Sequence, residues 1–323
     1  MSLRIRRLTV QFLLGSQIVR AVDGVDLDIQ PGRVLGIVGE SGSGKSTLAL
    51  SMLRLIDPPG RIVDGEILFE GVNLLTIAEA EIQAIRGRRI GLVLQNPATA
   101  LNPIMTVGDH IVETIQERLG LDRRESRTQA IEMLRIVYLA DQEDLLGKYP
   151  HQLSGGMKQR VMIALAMVGE PAVLIADEPT SALDVATQAQ ILRLLRELNE
   201  KHNTTVILIT HNLGAAADIC DDVAVMYAGR VVEMADVFSL FDHPDHPYTQ
   251  GLLRAVPKIN DPTFPSGIPG DYTLQSRPSR GCVFSPRCAF AMEICREKDP
   301  PGFVTASSRK VYCFLFGEGT RDG

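Results

Sequence analysis

The chain lacks an apolar run that could cross a membrane, because no hydrophobic stretch among its 323 residues approaches the roughly 18 residues that a spanning helix needs. Its first residues include Arg4, Arg6 and Arg7 before a stretch broken by glutamine, which is unlike a secretion signal. We therefore expect a cytosolic protein. Basic residues are also outnumbered, 33 against 39 acidic ones, and the net charge of -6 argues against nucleic acid as the main partner.

Internal repeats, long heptads and low-complexity segments are also missing from the sequence. Its composition, 45% hydrophobic and 22% charged residues, is typical of a soluble, compact protein. The patterns of apolar residues along the chain predict an α/β core. Apolar spacing predicts helices over 107–119 and 124–139, inside an all-helical insertion over 97–168. Runs of apolar residues predict strands, several of them buried and parallel, at 4–10, 20–29, 34–38, 65–69, 90–94, 173–177, 205–210 and 222–227.

Residues 39–47 read GESGSGKST and fit the phosphate-loop pattern G-x-x-x-x-G-K-[ST], directly after the apolar run 34–38 that supplies its strand. We expect Lys45 to reach the β- and γ-phosphates, Ser46 to hold a magnesium ion and Thr47 to hydrogen-bond the α-phosphate. Small residues allow the backbone N–H groups to surround phosphate oxygens at a helix start. In this loop they are Gly39, Ser41, Gly42 and Gly44.

A second anion site is predicted where residues 153–160 read LSGGMKQR. Ser154 is suited to cap a helix whose first exposed amides belong to Gly155 and Gly156. An ordinary capped amphipathic helix would explain the helix but not the serine with two glycines.

The two motifs, in this order, resemble the ATP-binding cassette (ABC) ATPase family over residues 1 to about 255. In that family the second motif contacts the γ-phosphate of ATP held on a partner's phosphate loop. The resemblance therefore implies ATP shared between two subunits. It also implies a P-loop NTPase fold with a RecA-like core, an antiparallel β-subdomain and the inserted helical subdomain.

Two adjacent carboxylates end the apolar run 173–176. We expect Asp177 to coordinate Mg²⁺ through water and Glu178 to act as general base toward the attacking water. Neighbouring side chains on a strand point to opposite sides, so both can serve one site only if the backbone turns. Pro179 is predicted to enforce that turn.

Four further residues are assigned by resemblance to the family. Gln95 resembles the glutamine that reaches the metal and the water, and Asp184 lies in a SALD segment that resembles the loop crossing the dimer interface. His211 resembles the switch histidine that contacts the γ-phosphate, and Phe12 resembles the aromatic residue that stacks on adenine. A structural role remains the alternative for His211, and a place in the core for Phe12.

Two segments resemble the oligopeptide and dipeptide importer ATPases: residues 95–103, QNPATALNP, and residues 246–253, HPYTQGLL. The resemblance implies a peripheral subunit on the cytoplasmic face of the membrane that hydrolyses ATP to import peptides. Its partners would be a second, non-identical ATPase subunit, two permease subunits and, indirectly, an extracytoplasmic peptide-binding protein. Import of nickel, glutathione or another small solute is one alternative. A cytosolic ABC ATPase acting on ribosomes or DNA is another, although only one phosphate loop is present.

The region from 256 to 323 is predicted to be a separate C-terminal extension, and four of the chain's five cysteines lie in it. A reducing cytosol disfavours disulfides, and zinc usually prefers tighter C-x₂₋₄-C pairs, so the thiolates are candidates for an iron–sulfur cluster. The resemblance agrees, because peptide-importer ATPases often carry a [4Fe-4S] cluster in this extension. Zinc, free thiols and a redox sensor remain alternatives. These cysteines are Cys282, Cys288, Cys295 and Cys313.

Overall fold

The computed structural model describes residues 3–257, 267–270, 278, 280–305 and 309–317, so parts of the predicted extension lie outside the described residues. In these ranges no helix is long and apolar enough to cross a membrane. The strands formed by the described residues are β1 (Leu3–Leu14), β2 (Gln17–Ile29), β3 (Val34–Val38), β4 (Gly60–Phe69), β5 (Val72–Asn73), β6 (Ile90–Val93), β7 (Val173–Asp177), β8 (Thr205–Thr210), β9 (Asp222–Tyr227), β10 (Arg230–Asp236), β11 (Phe303–Val304) and β12 (Lys310–Val311).

Helices alternate with these strands and complete an α/β fold, as predicted. The α-helices of the described ranges are α1 (Lys45–Met52), α2 (Glu79–Ile85), α3 (Pro97–Ala100), α4 (Val107–Leu119), α5 (Arg123–Ile136), α6 (Gln142–Leu146), α7 (Gly155–Met167), α8 (Val185–His202), α9 (Leu213–Ile219), α10 (Val237–Asp242), α11 (Pro247–Arg254) and α12 (Glu293–Glu297).

The chain divides into two compact units, and the first contains residues 30–34 and 76–209. Its strands β8, β7 and β6 pair in that order and all run parallel. Strands β7 and β8 are buried along their whole length, as their apolar sequences predict. Helices α3 to α7 all lie between β6 and β7 in the chain, so the segment predicted to be helical is helical.

Capping residues set the starts of α4 and α5 in this insertion. Thr106 accepts a hydrogen bond from the backbone N–H of Asp109 (3.1 Å), and Asp122 accepts one from that of Glu125 (2.8 Å). Helix α5 ends before the predicted residue 139. The reason is that Tyr138 has φ 56°, which no helical residue adopts.

The second unit contains residues 2–29, 35–75 and 210–323, within the ranges described. One of its sheets is antiparallel, with the order β2-β1-β4-β5. In the other sheet β3 runs parallel to β9, and β10, β12 and β11 continue it in antiparallel pairs. Strands β5 and β10 to β12 were not predicted, and β1, β2 and β4 are longer than predicted.

A buried carboxylate explains why β10 was missed. Glu233 lies in the middle of this strand and is fully buried, although charged residues rarely are. Its two oxygens accept hydrogen bonds from the backbone N–H groups of Asp245 (2.8 Å) and His246 (2.9 Å). The carboxylate therefore ties the chain before α11 to the sheet.

We expect Glu233→Gln to lower the free energy of unfolding by about 1–3 kcal/mol, because an amide NH₂ would replace one acceptor and face a buried N–H. Burial raises the pKa of Glu233, so the folded chain binds this proton more readily than the unfolded chain. The stability that protonated Glu233 contributes is thus complete at a pH below its pKa in the unfolded chain. It is lost as the pH rises through its pKa in the folded chain. Urea unfolding across pH 4 to 8 checks both effects. The exposed Glu66→Gln is the control, and an equal loss there would contradict the prediction.

Candidate active site

The phosphate loop connects the buried strand β3 to helix α1, in the strand–loop–helix order that its motif requires. Two of its glycines lie directly against other backbone. A Cβ atom on Gly39 would stand 2.1 Å from the carbonyl oxygen of Met226, and one on Gly44 would stand 2.0 Å from that of Ala21. No larger residue fits at either place, so strands β9 and β2, which belong to different sheets, fix the curve of the loop.

Lys45 is 5% exposed, and its ammonium group lies inside the loop. Nζ donates to the carbonyl oxygens of Gly39 (2.9 Å) and Glu40 (2.9 Å), and approaches Oγ of Ser43 at 3.4 Å. The other predicted ligand residues lie around this lysine, either half-buried on the first turn of α1 or exposed at the tip of the loop. They are Ser46 and Thr47 on the helix, and Ser41 and Gly42 at the tip.

The two carboxylates predicted for the metal and the water have different environments. Asp177 is the buried last residue of β7, with 6% of its surface exposed. Glu178 has φ 45°, so the backbone turn that Pro179 was expected to enforce already begins one residue earlier. Nε2 of Gln95 donates a hydrogen bond to Oε2 of Glu178 (2.9 Å). The structure thus brings together two residues that are 83 positions apart.

The second glycine motif begins helix α7, and Ser154 caps it by accepting a hydrogen bond from the N–H of Met157 (3.3 Å). Ser154 and Gly155 are exposed. A Cβ on Gly156 would stand 2.6 Å from Cγ2 of Thr187. The second glycine therefore has a packing role as well as an amide at the helix start.

Thr187 belongs to the helix that Asp184 caps. The Asp184 carboxylate accepts hydrogen bonds from the backbone N–H of Thr187 (3.0 Å) and from its hydroxyl (2.7 Å). These bonds lower the pKa of Asp184, so the group stays ionised at neutral pH. The glycine motif and the SALD segment consequently form one packed surface.

Phe12 and His211 both lie in the second unit, and their roles stay predictions. Phe12 is half-buried on β1, where it pairs with Val19 and packs on Gly60. His211 is exposed directly after β8, and Asn212 beside it caps α9.

One cavity is lined by all four cysteines of the C-terminal region, together with His246 and three phenylalanines that form an apolar wall. Burial raises the pKa of the Cys282 thiol to about 11 and that of Cys313 to about 12, and the neighbouring thiols act in the same direction. The fifth cysteine, Cys220, is a buried core residue, as predicted. Among the described residues no disulfide forms. The wall residues are Phe284, Phe290 and Phe314.

In the parts of the chain that the structure describes, no three His, Cys, Asp or Glu side chains are grouped so that they could hold one ion. Zinc needs all its thiolates at about 2.3 Å from one centre, whereas the thiolates of an iron–sulfur cluster bind its separate irons and stand further apart. The ligand type, their number and the shared apolar cavity are compatible with a cluster.

Comparison with known proteins agrees with this geometry. Residues 22–181 match the family described as ABC transporter, and residues 232–295 match the one described as oligopeptide/dipeptide transporter, C-terminal region. The chain is 47% identical to the "Probable peptide ABC transporter ATP-binding protein y4tR" of Sinorhizobium fredii, with 95% of this chain and 94% of that protein covered. It is 42% identical to the oligopeptide transport ATP-binding protein AppD of Bacillus subtilis, over 98% and 97% of the two chains.

A solved structure extends the comparison to the fold. The ATP-binding cassette MJ0796, a dimer bound to ADP and Pi in a post-hydrolysis state, superposes with a TM-score of 0.66 at 30% identity, covering 73% of this chain and 98% of that one. The predicted cassette fold is thereby confirmed. Because the similarity extends over almost the whole sequence, the chain belongs to the ATP-binding proteins of ABC transporters, a family of ATP hydrolases.

Proposed function

We propose that the chain is the ATP-hydrolysing subunit that powers import of di- or oligopeptides through an ABC permease. The observation that carries the substrate class is the match of residues 232–295 to the C-terminal region of peptide transporters. The relatives named for peptide transport support it. The loop around Lys45 and the Gln95–Glu178 pair support ATP hydrolysis as the energy source.

In this proposal each part of the site has one task. Lys45 and the amides of residues 39–47 bind the triphosphate, and Phe12 supports the adenine. Glu178 accepts a proton from the attacking water, while His211 contacts the γ-phosphate. When bound, Mg²⁺ neutralises charge on the phosphates, and it would be held by Ser46, Gln95 and, through water, Asp177.

A second cassette completes the site. Ser154, Gly155 and Gly156 would reach the γ-phosphate on the partner's loop, with Asp184 at the interface. Closure of the two subunits then depends on the γ-phosphate and is lost after hydrolysis. We propose a non-identical partner, two permease subunits and indirect contact with a peptide-binding protein, at the cytoplasmic face of the membrane. We also propose residues 1–255 as the cassette, with its helical subdomain at 97–168, and 256–323 as the extension.

The test is purification of the native membrane complex and its reconstitution in lipid vesicles. We expect ATP turnover to rise when a binding protein loaded with a di- or oligopeptide is added outside, and labelled peptide to accumulate inside. Stimulation by nickel or glutathione instead would overturn the substrate class. Isolation of the chain with ribosomes and without a permease would overturn the transport function.

We further propose that the four cysteines of the C-terminal cavity hold a [4Fe-4S] cluster. Its support is the common cavity that all four cysteines line and the apolar wall beside them. Zinc is the less favoured alternative because its ligands usually occur as tighter C-x₂₋₄-C pairs than the spacing of these four cysteines. A structural role is proposed for the cluster, because a short region with little core gains much of its stability from a bound metal centre.

Cys288→Ser is expected to remove the iron and the brown colour, because one thiolate ligand of the cluster is lost. The measurement is iron content and visible absorption of protein prepared without oxygen. Cys220→Ser is the matched control, since Cys220 lies in the core outside the cavity, and that variant should keep about four irons per chain. A colourless, iron-free wild type would reject the cluster.

ATP turnover that changes when the metal site is oxidised or reduced would favour the redox-sensor alternative.

A further inference from the structure

The second residue of the phosphate loop, Glu40, is held by the C-terminal region. Nη1 of Arg287 donates to Oε2 of Glu40 at 2.7 Å, and Nη2 donates to Oε1 at 3.1 Å. This is the two-pronged geometry in which guanidinium binds carboxylate most strongly. The Arg287 side chain is 8% exposed and the Glu40 side chain 31%, so the pair is partly shielded from water.

Arg287 is itself fixed on its other sides. Its Nε donates to the carbonyl oxygen of Pro269 (3.0 Å) and its Nη2 to that of Ile268 (3.2 Å). The guanidinium carbon lies 5.8 Å from the centre of the Tyr227 ring, within cation–π range. Hydrogen bonding to Glu40 raises the pKa of Arg287, so the group stays charged. A side chain held on three sides can act as a rigid support for the loop.

The backbone of Glu40 links this support to the lysine of the site. Its N–H donates to the hydroxyl of Tyr248 (3.0 Å). Its carbonyl oxygen accepts from Nζ of Lys45 (2.9 Å) and from the N–H of Ser43 (3.2 Å). One residue therefore contacts the C-terminal region through its side chain and the phosphate-binding lysine through its backbone.

Three packed rings lie behind these contacts. The centroids of Tyr227 and Tyr248 are 4.6 Å apart, and Phe284 lies 5.2 Å from the first and 5.4 Å from the second. All three rings are buried, and Phe284 immediately precedes the short 3₁₀ helix that carries Arg287. The position of Arg287 is thus determined by the core of this unit.

We propose that Arg287 is a positioning residue for ATP binding, which holds Glu40 so that the loop amides and Lys45 are arranged before the nucleotide arrives. Preorganisation of this kind improves affinity because less conformational freedom is lost on binding. Arg287 also neutralises a carboxylate in the loop that receives the triphosphate. The inference rests on the proposed function only in so far as residues 39–47 bind ATP.

The first test is ATP affinity and steady-state kinetics of Arg287→Gln in the otherwise complete chain. We expect the Kd and KM for ATP to rise about tenfold while kcat changes less than about twofold. The reason is that Arg287 positions the loop that binds ATP and does not contribute to the attack of water on the γ-phosphate. Arg287→Lys should restore part of the affinity, since an ammonium group supplies the positive charge but not the two parallel hydrogen bonds of a guanidinium. An unchanged Kd in folded Arg287→Gln would overturn the proposal.

The matched control is Arg309→Gln. Arg309 also lies in the C-terminal region, where it pairs with Asp245 (3.5 Å) and donates to the carbonyl oxygen of His243, both outside the phosphate loop. We expect its Kd for ATP to equal that of the wild type. A tenfold loss in this variant too would mean that any damage to the region weakens binding, and would overturn the specific role of Arg287.

A double variant separates positioning from neutralisation. In Glu40→Gln/Arg287→Gln the carboxylate is absent, so no unpaired negative charge repels the phosphates. Positioning predicts that affinity stays about tenfold low, whereas recovery to the wild-type Kd would leave only a charge effect and overturn the proposal. If Arg287→Gln does not fold, the Kd for ATP is measured for Glu40→Gln alone, which also breaks the pair with Arg287. Wild-type protein that fails to bind ATP would refute the phosphate-loop assignment instead.

Discussion

Glu178→Gln is expected to lower ATP turnover at least about a hundredfold while leaving ATP binding intact. An amide cannot accept the proton of the attacking water, but it has nearly the same shape as the carboxylate. Its oxygen can still accept the hydrogen bond from Nε2 of Gln95, which is 2.9 Å long in the wild type. The variant therefore removes the base and keeps the geometry. Turnover is measured by phosphate release at saturating ATP.

A second result should accompany the loss of turnover. Because the γ-phosphate is no longer cleaved, the Glu178→Gln subunit should accumulate in an ATP-bound dimer with its partner cassette, visible by X-ray scattering or size-exclusion chromatography. Glu170→Gln is the control, since Glu170 is in the same unit and also has a positive φ, 51° against 45° for Glu178. Near-normal turnover in Glu178→Gln would reject the proposed base.

The buried parallel strands were the most predictable part of the fold. Residues 34–38, 173–176 and 206–209 are nearly continuous apolar runs, which is the pattern typical of a strand buried on both faces of a sheet. The site motifs were equally visible, because their residues are neighbours in the chain. Lys45 and the glycines around it form one loop that needs no distant contact to be recognised.

The remaining features depend on contacts between residues far apart in sequence. Strand β10 was missed because Glu233 interrupts its apolar pattern, and only the distant backbone N–H groups that satisfy its oxygens make its burial possible. The ion pair of Glu40 with Arg287 spans 247 positions, so neither residue signals its partner. Arg287 could have been suspected only from its place beside Cys288.

The packing around the second glycine motif also could not be predicted from the sequence. Gly156 reads as an anion-binding residue in the sequence, yet the structure shows that it must also lie close to Thr187. A side chain at this position would push α7 away from the helix that Asp184 caps. Two requirements therefore act on one glycine, and pattern analysis detects only the first.

Lys45→Ala is expected to weaken ATP binding about a hundredfold, because the cation that meets the β- and γ-phosphates is removed and charge-assisted hydrogen bonds are the strong ones. Unlike Glu178→Gln, this change should therefore act before the chemical step. Isothermal titration with ATP and Mg²⁺ measures the affinity. Lys148→Ala is the control, since Lys148 pairs with Asp144 on the helical insertion (2.6 Å). Unchanged affinity in Lys45→Ala would contradict the phosphate-loop assignment.

Combining this change with Arg287→Gln tests how the two residues cooperate. If Arg287 acts by placing Lys45, its loss should matter little once the lysine is absent. The double variant should then bind ATP less than about threefold more weakly than Lys45→Ala, instead of tenfold. Independent, additive losses would mean that Arg287 acts on the loop amides and not on the lysine. The carbonyl oxygen of Glu40, which accepts from Nζ of Lys45 at 2.9 Å, is the contact that makes the coupled result the expected one.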